Sequence, residues 1–130
     1  MNDLKYFLKN NSSKKIIVVQ GLGFVGSVMS LVCANAINGD YAIIGIDLPT
    51  KRGKSIINSL NNGIFPLVAA DPKIEEFFLN TIKKNNFIAT TETEAYKFAD
   101  IIIVDINLDV QKNNDYSGEL IDYDVNLDSF

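Results

Sequence analysis

The sequence predicts an α/β domain built on a doubly wound parallel sheet, and three observations carry that prediction. Strand-like and helix-like segments alternate along most of the chain, which is the pattern of parallel strands joined by helical crossovers. Two strand candidates, residues 16–20 ("IIVVQ") and 99–106 ("ADIIIVDI"), are apolar without alternation, as strands are when both faces of their sheet are covered. The length of 130 residues, with 47% hydrophobic and 22% charged, suits one folded core and leaves little room for a second.

The elements follow in chain order. Residues 1–15 ("MNDLKYFLKNNSSKK") carry a short apolar patch broken by Lys5 and Lys9, with no small-residue cleavage site; they make a poor secretion signal, and a cytoplasmic location is expected. Ile16 to Gln20 reads as a buried strand. Phe24 to Asn38 reads as a helix with apolar residues at 25, 28, 32 and 36, and Tyr41 to Asp47 as a second strand after the turn at Gly39 and Asp40. Arg52 to Asn61 is helix-compatible and is ended by Asn62 and Gly63. Asp71 is placed to cap a helix with Pro72 in its first position, running to about Lys84. Phe87 to Thr90 is a short strand, Thr91 or Thr93 caps a brief helix through Phe98, and residues 99–106 form the fourth strand. The expected sheet order is 3-2-1-4, with residues 1–109 as the domain and 110–130 as an acidic tail.

Composition removes several classes of function. One cysteine cannot form an internal disulfide, and the absence of histidine rules out His-based metal sites and Ser-His-Asp triads within the chain. No apolar run approaches the roughly 20 residues of a membrane span. The net charge of −4 is uneven: residues 105–130 hold seven acids against Lys112 alone, a net of −6, which leaves +2 for the rest. An acidic segment of this kind opposes nucleic-acid binding, which calls for a clustered basic surface. No catalytic residue and no metal ligand is expected.

The chemistry concentrates in residues 16–30, "IIVVQGLGFVGSVMS". Between a strand and a helix, Gly-x-Gly-x-x-Gly serves three backbone purposes: the first glycine makes the turn, the second lets a pyrophosphate approach, and the third lets helix and strand pack closely. Gly21, Gly23 and Gly26 occupy those places, and the amides of Phe24 and Val25 open the helix whose positive dipole end faces the phosphates. A glycine turn can also be purely structural. The added signal is Asp47, which closes the second strand 21 residues after Gly26. An acid there accepts from both hydroxyls of an adenosine ribose and repels a 2′-phosphate, so NAD is preferred over NADP. The competing reading of Asp47 is a plain turn former, and Lys51, Arg52 and Lys54 just beyond it would favour a 2′-phosphate. Arg52 is retained as a neighbour of the adenosine. The fold so described is Rossmann-like.

Three stretches, residues 14–35, 43–78 and 87–108, resemble in order and spacing the N-terminal NAD-binding domain of the UDP-glucose/GDP-mannose dehydrogenase family of nucleotide-sugar dehydrogenases. The "LNNGIFPL" turn (residues 60–67), the Asp71-Pro72 helix start and the "TT" to "ADIIIV" arrangement (residues 90–104) are its particular features. The resemblance implies NAD as cofactor and oxidation of a UDP- or GDP-sugar C6 alcohol to the uronate, as in polysaccharide biosynthesis, through a thioester on a cysteine beyond the first domain. Cys33, inside the first crossover helix, is not that cysteine and is assigned a packing role. The family's Thr-Pro pair after the fourth strand is replaced by "DINLDV" (residues 105–110), with Asn107 in the threonine's place near the cofactor; the family's Glu-Pro appears as Asp71-Pro72. Thr90 and Thr91 are further cofactor neighbours or simple strand and cap residues.

On this reading the chain is a fragment, inactive alone, whose tail is weakly ordered or held by contacts outside the core. The nucleotide sugar is a partner of the intact protein only, and homo-oligomer formation is left open. Two rival classes use the same cradle: a self-standing, non-catalytic Rossmann nucleotide-sensing domain, and a methyltransferase that binds S-adenosylmethionine.

Overall fold

In the computed structural model, which describes residues 2–107, 110–114, 120–125, 127, 128 and 130, a four-stranded sheet forms the centre of the fold. Its strands are β1 (Lys15–Gln20), β2 (Tyr41–Ile46), β3 (Phe87–Thr90) and β4 (Ile101–Val104), in the order β3-β2-β1-β4. Every neighbouring pair is parallel: Ile17 stands opposite Ile43 and Ile101, and Ile43 opposite Phe87. The sequence-based sheet order of 3-2-1-4 is therefore the observed one, and the domain is Rossmann-like.

Strand alternation sorts the core into two faces. Ile16 and Val18 of β1 point with Ala42, Ile44 and Ile46 of β2 to one side; Ile17, Val19 and Ile43 point to the other. The second side is covered by α2 (Phe24–Ala34), α3 (Lys51–Asn61) and α4 (Pro72–Lys84), which add Leu31, Ile56, Ile57, Leu60 and Phe78. The first side is covered by two elements of different origin. One is the short 3-10 helix Thr93–Phe98, which contributes Ala95. The other is α1 (Asn2–Asn10), where the sequence pattern had suggested no element. Leu4 and Phe7 of α1, spaced one turn apart, are each about 5% exposed and complete that face of the core. The two lysines that break the apolar run, Lys5 and Lys9, lie four apart on the exposed face of the same helix, so the apparent interruption is amphipathicity.

Each of the four helices gives way to an asparagine. Asn11, Asn35 and Asn62 donate their side-chain amides back to the carbonyls of Phe7, Leu31 and Asn58, four residues earlier, and Asn85 takes the left-handed conformation (φ 53°) that stops α4. These residues supply donors to carbonyls that a helix end leaves without partners. The effect shortens α2: the helix read as reaching Asn38 ends at Ala34, because the Asn35 amide also reaches the Phe77 carbonyl and the Thr81 hydroxyl of α4 and fixes the chain there. Helix starts are simpler. Asp71 accepts from the Lys73 amide with Pro72 at the first position, and Thr50 accepts from the Gly53 amide, so α3 begins one residue earlier than expected. The 3-10 helix is entered from Glu92, and neither Thr91 nor Thr93 caps it; the Thr90 hydroxyl instead accepts from the Glu92 amide.

At β4 the continuous apolar run does not have both faces covered. Ile101, Ile102 and Val104 are 40–49% exposed, because β4 is the edge of the sheet and the covering helices centre on β1 to β3. The start of β4 is fixed by Asp100, which accepts from the Ile16 amide (2.8 Å) and donates its own amide back to the Ile16 carbonyl (2.9 Å). Within the tail, β5 (Val110–Asn114) and β6 (Leu120–Val125) pair antiparallel in a sheet separate from the first. The remainder of the expectation for the tail falls on residues 108–109, 115–119, 126 and 129, which lie outside the described residues. Among the described residues no helix is long and apolar enough to cross a membrane.

Phe7→Ala removes a buried aromatic side chain and is expected to lower the unfolding free energy by about 3–4 kcal/mol in urea titration followed by circular dichroism. A loss below about 1 kcal/mol would show that α1 is not part of the folded core.

Candidate functional site

The loop between β1 and α2 stands at the carboxyl end of the sheet, where strand order reverses between β2 and β4. It begins inside the sheet: the Gly21 amide still donates to the Ile46 carbonyl (2.8 Å), and the Asp105 amide donates to Gln20 (2.8 Å) on the other side. Gly21 then turns the chain with φ 96°, a conformation that L side chains rarely adopt, and a Cβ there would strike the Asp105 carbonyl. Gly26 is buried in the first turn of α2, and a Cβ on it would run into the Gly21 carbonyl. Helix and turn are thus in backbone contact.

Gly23 differs from both. Nothing lies within 4 Å of where its Cβ would be, so the surface over it is open. It is the N-cap of α2 and has no side chain to accept from the first helical amides, while Ser27 makes the first intrahelical bond to the Gly23 carbonyl. The amides of Phe24, Val25 and Gly26 therefore begin the helix without an intrahelical acceptor, at its positive end. Phe24 and Val25 are about half exposed beside them. Backbone N–H groups without acceptors at a helix start, with open space over Gly23, suit a pyrophosphate.

Asp47 lies one residue past β2 and is joined to the loop. Its Oδ2 accepts from the Leu22 amide at 2.9 Å and its Oδ1 from the Leu48 amide at 2.7 Å. A carboxylate offers about four lone-pair positions, so two remain for the vicinal hydroxyls of a ribose. Arg52 is exposed in the first turn of α3, and Asn107 is exposed three residues beyond β4. Thr90 sends its hydroxyl into a local turn, while its carbonyl accepts from the Asp47 amide (3.2 Å). Among the described residues no group of three or more acids and cysteine could hold a metal ion.

Two participants escaped the sequence reading. Leu22, a nominally free position of the motif, is fully buried and joins Leu31, Ile56, Leu60 and Phe78 in the core beneath the loop. Its sequence mark is Gly45: a glycine within an apolar strand signals close approach, and a Cβ there would lie 2.6 Å from the Leu22 side chain. Asp105 is the second. Its carbonyl shapes Gly21, and its Oδ2 lies 3.1 Å from the Cβ position of Gly26. An apolar strand ending in aspartate gave no hint of this, since the approach joins residues 79 apart.

Cys33 is half-buried on α2, packed against Ile17, Val19, Ala34 and Ile43, and burial raises its thiol pKa above the ordinary value. The sheet order, the glycine turn and the acid after β2 together define a Rossmann-type dinucleotide-binding domain. More particularly, residues 14–124 match the NAD binding domain of the UDP-glucose/GDP-mannose dehydrogenase family, and the chain belongs to that family. Among solved structures it is similar to an NDP-N-acetyl-D-galactosaminuronic acid dehydrogenase from Methanosarcina mazei Go1, with 26% identity, a TM-score of 0.66 and 86% of this chain aligned. The chain covers 23% of that protein's length. A search of curated proteins returns no match.

Gly26→Ala is expected to destabilise the fold by about 1–3 kcal/mol in urea titration, because its methyl group meets backbone that cannot yield. Gly23→Ala, facing open space, should cost less than about 1 kcal/mol. Equal costs would show that the close contact at Gly26 is not what holds α2 in place.

Proposed function

We propose that this chain is the NAD-binding part of a nucleotide-sugar 6-dehydrogenase, an enzyme that oxidises the C6 alcohol of a UDP- or GDP-linked sugar to the uronate. The observation that carries the proposal is the run of first-turn amides from Phe24 to Gly26, entered from a Gly23 with open space over it and held beside an acid with two uncommitted lone pairs. The family match and the likeness to a nucleotide-sugar dehydrogenase support the choice of reaction. When bound, NAD supplies the hydride acceptor, twice per alcohol taken to acid. The residues of this chain bind and orient it. The first-turn amides of α2 face the pyrophosphate, Gly21 and Gly26 keep that turn tight, and Asp47 receives the adenosine ribose. Arg52 and Asn107 are assigned to the rim of the same site.

The charge of Asp47 also selects the cofactor. A 2′-phosphate would bring a second anion to a carboxylate already fixed by two amides and unable to swing aside. NAD is accordingly the expected ligand, in line with the family description.

Sugar recognition and thioester chemistry are assigned to protein beyond these 130 residues. Hydride transfer requires the alcohol to be held against the nicotinamide, and the second oxidation requires a thiolate at the same place. Cys33 is nine residues into α2 from Phe24, about 14 Å along the helix axis from the first-turn amides. It is packed on the sheet, and burial favours its neutral thiol. This geometry supports packing as its role.

Calorimetric titration of the chain should give tighter binding of NAD than of NADP. Asp47→Asn should weaken NAD and narrow the difference; a wild-type preference for NADP, or an unchanged ratio in the variant, would refute the role of Asp47. With NAD and UDP-glucose, GDP-mannose or UDP-N-acetylmannosamine, the chain alone should yield no sustained rise in NADH absorbance. Turnover that disappears in Cys33→Ser would overturn the division of labour proposed here.

A further inference from the structure

The first-turn amides of α2 carry the positive end of a helix dipole, Arg52 is exposed at the rim of the site, and the carboxylate of Asp105 stands beside Gly26, the third residue of that helix. Asp105 follows β4 with its backbone amide bonded to Gln20; its Oδ2 lies 3.1 Å from where a Cβ of Gly26 would be, in the third position of the helix. Among the described residues no lysine or arginine is seen to pair with it; lysines elsewhere pair with other acids, as in Lys14–Asp40, Lys73–Glu76 and Lys97–Glu94. Asp47, the other acid at the cradle, is held by two amides on the side of β2. Phe24 and Val25, which flank the amides, add no charge.

A negative charge at a helix N-terminus is favourable while the site is empty, because it complements the dipole. The same charge opposes a pyrophosphate arriving at the same helix end. We propose that Asp105 sets the affinity of this site, stabilising the unliganded loop and weakening the hold on the dinucleotide. The consequence is rapid exchange of oxidised for reduced cofactor, a step that limits many enzymes of this general kind. Two like charges several ångströms apart near a protein surface change an affinity by about three- to tenfold at low ionic strength. Asp105 is a positioning and affinity residue, with no part in bond making. The proposal rests on the assignment of NAD to this site.

The test is calorimetric titration of NAD into the wild-type chain and Asp105→Asn, which keeps size and shape and removes the charge. At about 10 mM salt the variant is expected to bind NAD about three- to tenfold more tightly, and at about 0.5 M salt the two should converge to within about twofold, since the Debye length shrinks from about 30 Å to about 4 Å and screens the repulsion. Its melting temperature without ligand should drop by a few degrees, about 2–5 °C, for loss of the dipole partner. Asp105→Ser serves as a second charge-free variant should asparagine disturb the loop. Equal or weaker NAD binding by both variants at low salt overturns the proposal, as does a gain that persists undiminished at high salt. Failure of NAD to bind any of the proteins overturns the NAD assignment itself, a result distinct from equal binding.

Discussion

The structure depends on one contact between stretches of bare backbone. Where β1 becomes α2, the Gly21 carbonyl occupies the space that a side chain on Gly26 would need, and the Asp105 carbonyl occupies the space that one on Gly21 would need. Three chain segments, the end of β1, the first turn of α2 and the end of β4, therefore meet at backbone distance. A single methyl group at either glycine would force them apart. Because α2 is the first crossover and packs on both central strands, its entry angle determines where the second face of the sheet finds its cover.

This contact is also what exposes the amides that the site uses. Gly26 is buried where the helix end meets the turn, while the space over Gly23 is open, and the amides that follow Gly23 begin α2 without an intrahelical acceptor. Stability and binding are coupled through Leu22 and Asp47. Leu22 puts its side chain into the core against Gly45 and gives its amide to Asp47, so one residue ties the loop to the hydrophobic interior and to the end of β2. The Asp47 carboxylate is thereby fixed in orientation by the Leu22 and Leu48 amides, and a group held in place in this way loses little freedom when it takes a partner.

Elsewhere the sheet is stapled by side-chain amides acting as backbone. Asn61 both donates to and accepts from Ala89 (2.8 and 2.9 Å), supplying the outer edge of β3 with the pair of hydrogen bonds that another strand would make. Asn86 donates to the carbonyls of Ala34 and Tyr41, joining the end of α2 to the start of β2. Such bonds let a short chain close helix ends and a strand edge without adding elements. They satisfy the buried side-chain NH2 groups of Asn11 and Asn86, both nearly fully buried.

The sequence by itself determined the alternating strands and helices and the position of the glycine turn, which depend on local periodicity and on backbone freedoms that only glycine has, and the order 3-2-1-4 followed from the doubly wound class they define. It also placed Asp47 and the Asp71-Pro72 helix start, which are set within a few residues of chain. Tertiary structure alone decided that Leu4 and Phe7 belong to the core, since nine residues with two lysines become an amphipathic helix only when an open sheet face is there to receive them. It ended α2 at Ala34, because Asn35 finds acceptors on a helix 42 and 46 residues away. It left β4 half-exposed at the sheet edge, where an apolar run read in isolation looks the same as a buried one. And it brought the carboxylate of Asp105 to Gly26: strand pairing sets that distance, and nothing in the residues between them records it.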